Sequence, residues 1–566
     1  MAKYKWNVKS GITDSAKKLA KEVGVTPVVA QVFINRGFSS NDEIKAFLSP
    51  LLSKLPDPFL LSDAKRAAER IADAVDKKEK ICIYGDYDID GSTAVAVLAG
   101  FFKELGASFF YYQPERFGEG YGLSADAVEK IIKKGASLVI SVDCGTSSID
   151  AAVLCRKKGV DLIITDHHKL GEVSPDAYAF VNPHKPGEPG VFSNLAGVGV
   201  AYYLAIALRK VLRERNYFNA VKKEPDLKNY LDLVAFGTVA DVVPILGVNR
   251  VLVKKGLEFI NSNPRKGIKA LAEISGLKGV ISSDSISYIL APRLNAAGRM
   301  GSASRSVELL LSNDEQESHD LAMVLHEENQ KRVSFQNKSW QQVQTIAESF
   351  DSFDSRYSLT FASEGWHQGV IGIIASKAVE KWYKPTAVYS ISDNGIAKGS
   401  ARSIHGIDIF SVFSEFREVF EDFGGHDMAA GMSIKTDRIP KFMELFENGV
   451  SKYVKSKKIH PTIDVDVEVR PSDINLKTIK EIMEMEPFGS DNPYPVFLCR
   501  DLNITNKMIL KDKHLKLKLE NNIDAIGFNM SEMEAYSDEK IDIVFKPSIN
   551  EWNGNKQVQY VIVDID

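Results

Sequence analysis

Asp86, Asp88 and Asp90 alternate through one short segment, and Asp143 follows an apolar run. Asp166 is joined to His167 and His168, and Asp241 precedes Val242-Val243-Pro244. Hard oxygen donors with one or two imidazoles suit Mn²⁺, with Mg²⁺ as the alternative. Crowded together without a cation, the same groups repel one another and are costly to desolvate. Two ions ~3.5–4 Å apart stabilise the attacking and leaving oxygens of a phosphoryl transfer and lower the pKa of bound water. In an extended segment alternate side chains share a face, so at least two of Asp86, Asp88 and Asp90 can point into one site. Asp143 could bridge the two ions, with His167 and Asp241 completing the second. The competing reading is that aspartates after strands cap helices and turns. Four such clusters weigh against coincidence.

The elements that must position these residues can be read from periodicity. Ala67, Ile71 and Ala74 give a one-striped helix over 62–77, and Lys80-Ile81-Cys82-Ile83-Tyr84 a short apolar strand. Gly91-Ser92-Thr93 opens a small-residue helix. The unit recurs with Leu138–Val142 running into Asp143, a helix around 149–158, and Val160–Thr165 running into Asp166. Alternating strands and helices at this spacing predict a parallel, doubly wound sheet, which gathers its strand ends, and hence its ligands, at one edge. A helix reaching Ala240 stops near Asp241 because Pro244 follows. Residues 314–350 contain neither Gly nor Pro and predict one helix up to ~55 Å long at 1.5 Å per residue. Beyond 458, alternation at Ile463, Val465, Val467, Val469 and again at Leu515, Leu517, Leu519 predicts a small β-barrel.

With 566 residues, three or four domains are expected. The segmentation is 1–50 an N-terminal cap, 51–255 the first α/β domain, 256–350 a helical connector with the long linking helix, 351–456 a second α/β domain, and 457–566 the barrel. A net charge of −4 excludes wholesale coating of nucleic acid and leaves room only for a local channel. Four scattered cysteines, with no C-x-x-C pair, support neither a zinc site nor a disulfide framework. Cys144 beside Asp143 reads as a small packing residue rather than a nucleophile. No apolar stretch reaches the ~18 residues needed to span a bilayer, no signal-peptide run opens the chain, and a cytoplasmic protein without membrane contact is expected.

Tyr84-Gly85-Asp86-Tyr87-Asp88-Ile89-Asp90-Gly91, Ser141-Val142-Asp143-Cys144-Gly145, Thr165-Asp166-His167-His168 and Ala240-Asp241-Val242-Val243-Pro244 resemble, in order, the four motifs of the DHH phosphoesterases. The resemblance implies Asp88, Asp90, Asp143, His167 and Asp241 as ligands of two ions, most often Mn²⁺. Asp86 would be a further ligand or a neighbour to one, His168 would face the phosphate, and Asp166 would orient an imidazole.

Within that superfamily the rest of the chain resembles the bacterial single-strand-specific exonucleases over about residues 50–500. The segments that carry this are the loop around Arg116, Pro292-Arg293-Leu294-Asn295-Ala296-Ala297-Gly298-Arg299, Glu364-Gly365-Trp366-His367-Gln368-Gly369, Lys398-Gly399-Ser400-Ala401-Arg402, Phe423-Gly424-Gly425-His426, and Glu486-Pro487-Phe488-Gly489-Ser490-Asp491-Asn492-Pro493. Gly is more usual than Asp491 in the last. The implied architecture is α/β: a parallel-sheet DHH domain, a long helix, a DHH-associated α/β domain and a C-terminal OB-fold. Arg116, Ser400 and Arg402 match a pocket for a terminal 5′-phosphate, while Arg299 and His426 would hold or polarise the scissile phosphate. Arginine's planar fork suits phosphate oxygens. The glycines Gly424 and Gly425 would let backbone N–H groups close on an anion, aided by a following helix N-terminus. The implied activity is 5′→3′ hydrolysis of single-stranded DNA by a two-metal mechanism in repair and recombination, releasing nucleoside 5′-monophosphates. A helicase and a single-strand-binding protein are the implied partners, and a monomer is expected. The alternative within the superfamily is a phosphodiesterase for short oligonucleotides or cyclic dinucleotides, which would lack the barrel. The barrel's Lys507, Lys511, Lys513, Lys516 and Lys518 suit a single-strand platform, although edge lysines also deter aggregation.

Overall fold

A computed structural model describes residues 4–115, 120, 122–350, 352–457, 459–532, 540–552 and 554–566. The chain divides into two compact units. One comprises residues 1–298, 303–323 and 462–566, and the other residues 299–302 and 324–461.

In the first unit five parallel strands form a sheet in the order Phe109–Tyr112, Ile81–Gly85, Leu138–Val142, Asp161–Thr165, Ala179–Val181. The two central strands Ile81–Gly85 and Leu138–Val142 are buried at every position. That is why they read as unbroken apolar runs, as parallel strands covered on both faces do. Helix Ile89–Leu105 is buried along almost all its length, and its small residues let it lie against helices Gly197–Glu214 and Leu231–Ala240. The opposite face packs Cys82, Tyr84, Val139 and Ile164 against Val128, Ile131 and Cys155. The helix predicted to stop near Asp241 ends at Ala240.

The barrel is a closed ring. Phe497–Leu510 pairs with His514–Leu519, then Asp524–Gly527, Asn555–Ile565 and Lys540–Trp552 follow, and Lys540–Trp552 pairs back to Phe497–Leu510. The alternation at Leu515, Leu517 and Leu519 is the inward-facing row. The cap contributes helices Asp14–Val23, Pro27–Asn35 and Asn41–Leu48. Their Ala16, Val29, Phe33 and Phe47 share one apolar core with Phe497, Phe545 and Tyr560 of the barrel. A strand not foreseen from sequence, Lys5–Val8, runs parallel to Thr462–Val465. Asp491 has φ 55°, the left-handed region glycine favours, so an aspartate fills a glycine-type turn position without changing the backbone it requires.

The second unit holds a five-stranded sheet in the order Asp422–Gly425, Ala429–Lys435, Ile396–Arg402, Thr386–Ile391, Leu359–Glu364, with the last pair parallel and the rest antiparallel. One face carries Trp340, Phe361, Trp366 and Ile374, the other Tyr389, Phe413 and Phe442. The predicted long helix is Glu315–Glu348, which starts in the first unit and continues in the second. Among the described residues no helix is long and apolar enough to cross a membrane.

Candidate metal centre and phosphate cradle

The acidic clusters follow the carboxyl ends of neighbouring parallel strands. Asp86 and Asp88 come directly after Ile81–Gly85, and Asp88 caps helix Ile89–Leu105 by accepting from Gly91 N at 3.1 Å. The capping role and a place in the cluster therefore coexist. Asp90, in the first turn, is buried, and its two oxygens accept from Gly197 N (2.6 Å) and Val198 N (2.9 Å) at the start of another helix. Asp143 follows Leu138–Val142 with φ 60°, a conformation uncommon outside glycine. Gly197 makes room for it, since a Cβ there would fall 2.4 Å from Asp143 Oδ1.

His167 Nε2 lies 3.2 Å from Asp143 Oδ1, 3.6 Å from Asp241 Oδ2 and 3.7 Å from Asp90 Oδ2. Donor atoms of Asp86, Asp88 and Asp143 form one group within 4.8 Å of each other, and those of Asp90, His167 and Asp241 another. Asp143, His167 and His168 form a third, overlapping both. Two adjacent groups meeting at Asp143 and His167 are what a pair of ions requires.

Electrostatics test whether a cation fits. Burial, then the charge of Asp88, pushes the Asp90 carboxyl up to about 7. Burial, then Asp90 and Asp88, pushes Asp241 up to about 9. Asp143 rises well above the ordinary range through burial and the surrounding carboxylates. Asp143 Oδ1 and Asp241 Oδ2 are buried and accept no hydrogen bond. Unpaired buried oxygens of this kind are costly unless a cation supplies their partner. Burial, reinforced by His168, pushes His167 down to about 4, which keeps the imidazole neutral as a metal ligand must be. The residues fit divalent ions.

His168 differs. Burial opposes its charge, but Asp166 Oδ1 at 2.7 Å from Nδ1 outweighs it and raises its pKa. Burial likewise opposes ionisation of Asp166, yet bonds from His168 and from Thr146 N (2.9 Å) hold that carboxyl well below its usual range. Asp166 thus orients an imidazole, as expected. Asn182 bonds both Thr146 Oγ1 and the His168 carbonyl at 2.9 Å. Gln113 Nε2 holds the Asp86 carbonyl at 2.7 Å, and Asn295 Oδ1 accepts from Ile89 N at 3.0 Å. Sequence reading passed over Asn182, Gln113 and Gly197. The end of strand Ala179–Val181 carries Asn182-Pro183 instead of an acid, so it lacked the signature that marked its neighbours. Cys144 is buried, and burial pushes its thiol far up, so it is an inert packing group.

In the second unit Ser400 and Arg402 lie two apart on one strand, and Arg402 Nη1 donates to Ser400 Oγ at 3.0 Å. The start of helix Gln368–Trp382 covers them. A Cβ on Gly372 would sit 3.1 Å from Ser400 Oγ and 3.2 Å from Arg402 Nη2. Ser400 pairs across the sheet with Gly431, and Gly431 with Gly424, and open space lies above both glycines. The result is a bare strip beside a guanidinium and a helix N-terminus, suited to an anion. The expectation of a Gly-Gly loop leading into a helix is corrected. Gly424 and Gly425 end a strand, and His426, exposed, turns into the next strand with its N–H on Ala429 O at 2.8 Å. The local sequence reads as a phosphate loop only when the hairpin register is unseen. Arg299 belongs to this unit and donates from Nη1 to Gly369 O at 3.0 Å. Arg116 lies outside the described residues.

Family models match in three places: the DHH family N-terminal domain over 80–238, the DHHA1 domain over 354–452 and the RecJ OB domain over 465–564. The RecJ of Bacillus subtilis is 37% identical over 572 residues, covering 100% of this chain and 71% of that protein. That of Haemophilus influenzae is 34% identical, covering 96% and 97%. The chain belongs to the RecJ family. A crystal structure of RecJ from Thermus thermophilus in complex with Mn²⁺ matches with a TM-score of 0.85 at 26% identity, covering all of this chain and 80% of that one. Its Mg²⁺ counterpart matches with a TM-score of 0.79. RecJ membership confirms the expected architecture of DHH domain, DHH-associated domain and OB barrel.

Proposed function

We propose that the chain is a metal-dependent exonuclease that hydrolyses single-stranded DNA from the 5′ end and releases nucleoside 5′-monophosphates in repair and recombination. The observation that carries this reading is the approach of Asp143 to within 3.2 Å of His167 amid carboxylates whose buried oxygens lack partners, in a chain of RecJ architecture. Asp86, Asp88, Asp90, Asp143, His167 and Asp241 would hold two Mn²⁺ or Mg²⁺ ions, with Asp143 shared between them. When bound, the ions supply Lewis-acid stabilisation of the phosphate oxygens and a lowered pKa for water.

The chain's own residues do the rest. Asp90, tied by two backbone amides, and Asp143, fixed by its backbone, hold the donor array in place before substrate arrives, which lessens reorganisation during reaction. His168, its Nδ1 engaged by Asp166 and its pKa raised by that partner against the opposing effect of burial, would face a phosphate oxygen with Nε2. Arg402 and Ser400, under the N-terminus of helix Gln368–Trp382, bind a terminal 5′-phosphate. By the family resemblance alone, Arg116, Gly424 and Gly425 are assigned to the terminal phosphate and Arg299 and His426 to the scissile phosphate. The barrel carries the strand's continuation on basic and aromatic side chains. A helicase that supplies single strands and a single-strand-binding protein belong to the same reading, as do monomeric and cytoplasmic action.

The test is digestion, with Mn²⁺, of long strands labelled at either end, alongside a dinucleotide. Early release of labelled mononucleotide from the 5′ end alone is expected. Turnover of the dinucleotide with the long strands left intact would replace the exonuclease by a short-oligonucleotide phosphodiesterase.

A further inference from the structure

On the polar surface of helix Glu315–Glu348, between Ser334 and Gln336, stands Phe335, 40% exposed. Its ring stacks on His367, with centroids 5.5 Å apart and planes at 23°. His367 is itself immobilised. It is the N-cap of helix Gln368–Trp382, and its Nδ1 accepts from Gly369 N at 3.0 Å. Gly369 in turn is wedged against Arg299, whose Nη1 donates to the Gly369 carbonyl and whose own carbonyl would lie 2.8 Å from a Cβ at that position. An exposed aromatic ring therefore rests on a fixed backing. Trp340, further along the same helix, is by contrast buried in the core with Trp366.

What lies beside the ring gives it a task. From His367 to Gly372 the helix advances ~7.5 Å, and Gly372 touches the Ser400–Arg402 cradle. The imidazole that backs the ring and the glycine that meets the cradle thus both lie in the first turns of one helix, with the ring itself held from helix Glu315–Glu348. A ring with few rotatable bonds, pressed on a fixed imidazole, loses little freedom when a flat partner settles on it. Every nucleobase presents such a face.

We propose that Phe335, backed by His367, stacks on the base of the 5′-terminal nucleotide whose phosphate sits on Ser400 and Arg402. This rests on the exonuclease reading and deepens it by adding a base contact to the phosphate contact. The ring reads no particular base.

The experiment measures the first cleavage of 5′-labelled, 5′-phosphorylated strands with Mn²⁺. One strand carries a normal terminal nucleotide and the other an abasic tetrahydrofuran unit there. On the normal strand F335A is expected to raise KM about 5- to 30-fold, with kcat within about twofold. On the abasic strand wild type is already weakened, and F335A adds less than about twofold. F335W stays near wild type, while F335L, which keeps apolar bulk without a π face, behaves like F335A. Loss by the same factor on both strands, or no loss on the normal one, overturns the stacking role, because packing damage ignores what the substrate carries. Failure of the wild type to release the 5′ label from the normal strand would remove the exonuclease reading and this inference together.

Discussion

Asp143 shows how much of the centre is arranged by backbone rather than by side chains. Its φ of 60° aims the carboxylate into space that only a glycine at 197 leaves open. Asp143→Ala is expected to reduce cleavage at least 1,000-fold while strand binding, measured by fluorescence anisotropy, changes less than about threefold. Gly197→Ala pushes a methyl into that carboxylate. Activity should fall at least tenfold and stability by ~1–3 kcal/mol, read by single-turnover kinetics and urea unfolding. Proton linkage gives a third check. In the ion-free protein Asp90 at about 7 and Asp241 at about 9 keep protons that the unfolded chain sheds near pH ~4. The native state then binds more protons than the unfolded one between pH ~4 and ~9, so stability in EDTA must fall as pH rises. Saturating Mn²⁺ should flatten or reverse that slope, and an EDTA profile that climbs through this range would contradict the raised values. The carboxylates were legible in the sequence because each follows an apolar strand or a helix end. Their supports were not. The amides that hold Asp90 lie 107 residues away in the chain, and nothing in the string Gly197-Val198 announces them.

At the scale of elements, helix Gly247–Ser262 supplies a joint. Buried Arg250 donates to Phe47 O at 2.7 Å and to Met485 O and Glu486 O at 3.0 Å, with its guanidinium 3.4 Å from the Phe47 ring centroid. Lys254, one turn on, donates to Leu48 O at 2.7 Å and Glu484 O at 3.2 Å. These carbonyls end helices Asn41–Leu48 and Leu476–Glu484, so two cations satisfy two helix C-termini at once. Burial pushes Arg250 down to about 9, showing the cost of placing a charge there without a carboxylate. Arg250→Met is expected to lower stability by roughly 3 kcal/mol, with Arg250→Lys intermediate, both read from denaturant midpoints. Periodicity located the helices themselves well, and the long helix most clearly, since an unbroken stretch without Gly or Pro has few alternatives. The hairpin that carries Gly424 and Gly425 was missed because its register depends on pairing with Ala429–Lys435, which local composition does not encode.

For the whole molecule, the separate cap expected from residues 1–50 is built into the same core as the barrel, through Phe33, Phe47, Phe497 and Phe545. Removing residues 1–50 should expose that apolar surface. The truncated chain is expected to bind a hydrophobic dye, and protease should cut the barrel at temperatures where the full chain resists. A barrel that stays intact after truncation would show the cap to be dispensable. Sequence alone divided these parts because the chain between them is long, and distance along a polymer says little about adjacency in space. The strand Lys5–Val8 takes this furthest, with Trp6 Nε1 and Tyr4 N both donating to Asp564, partners separated by 558 and 560 residues. During synthesis Tyr4 and Trp6 must wait for Asp564 to leave the ribosome, ~30–110 s at the usual ~5–20 residues per second. Over that interval the cap's apolar helices lack their barrel partner, and ribosome-bound nascent chains halted before residue 460 should show them still accessible to labelling.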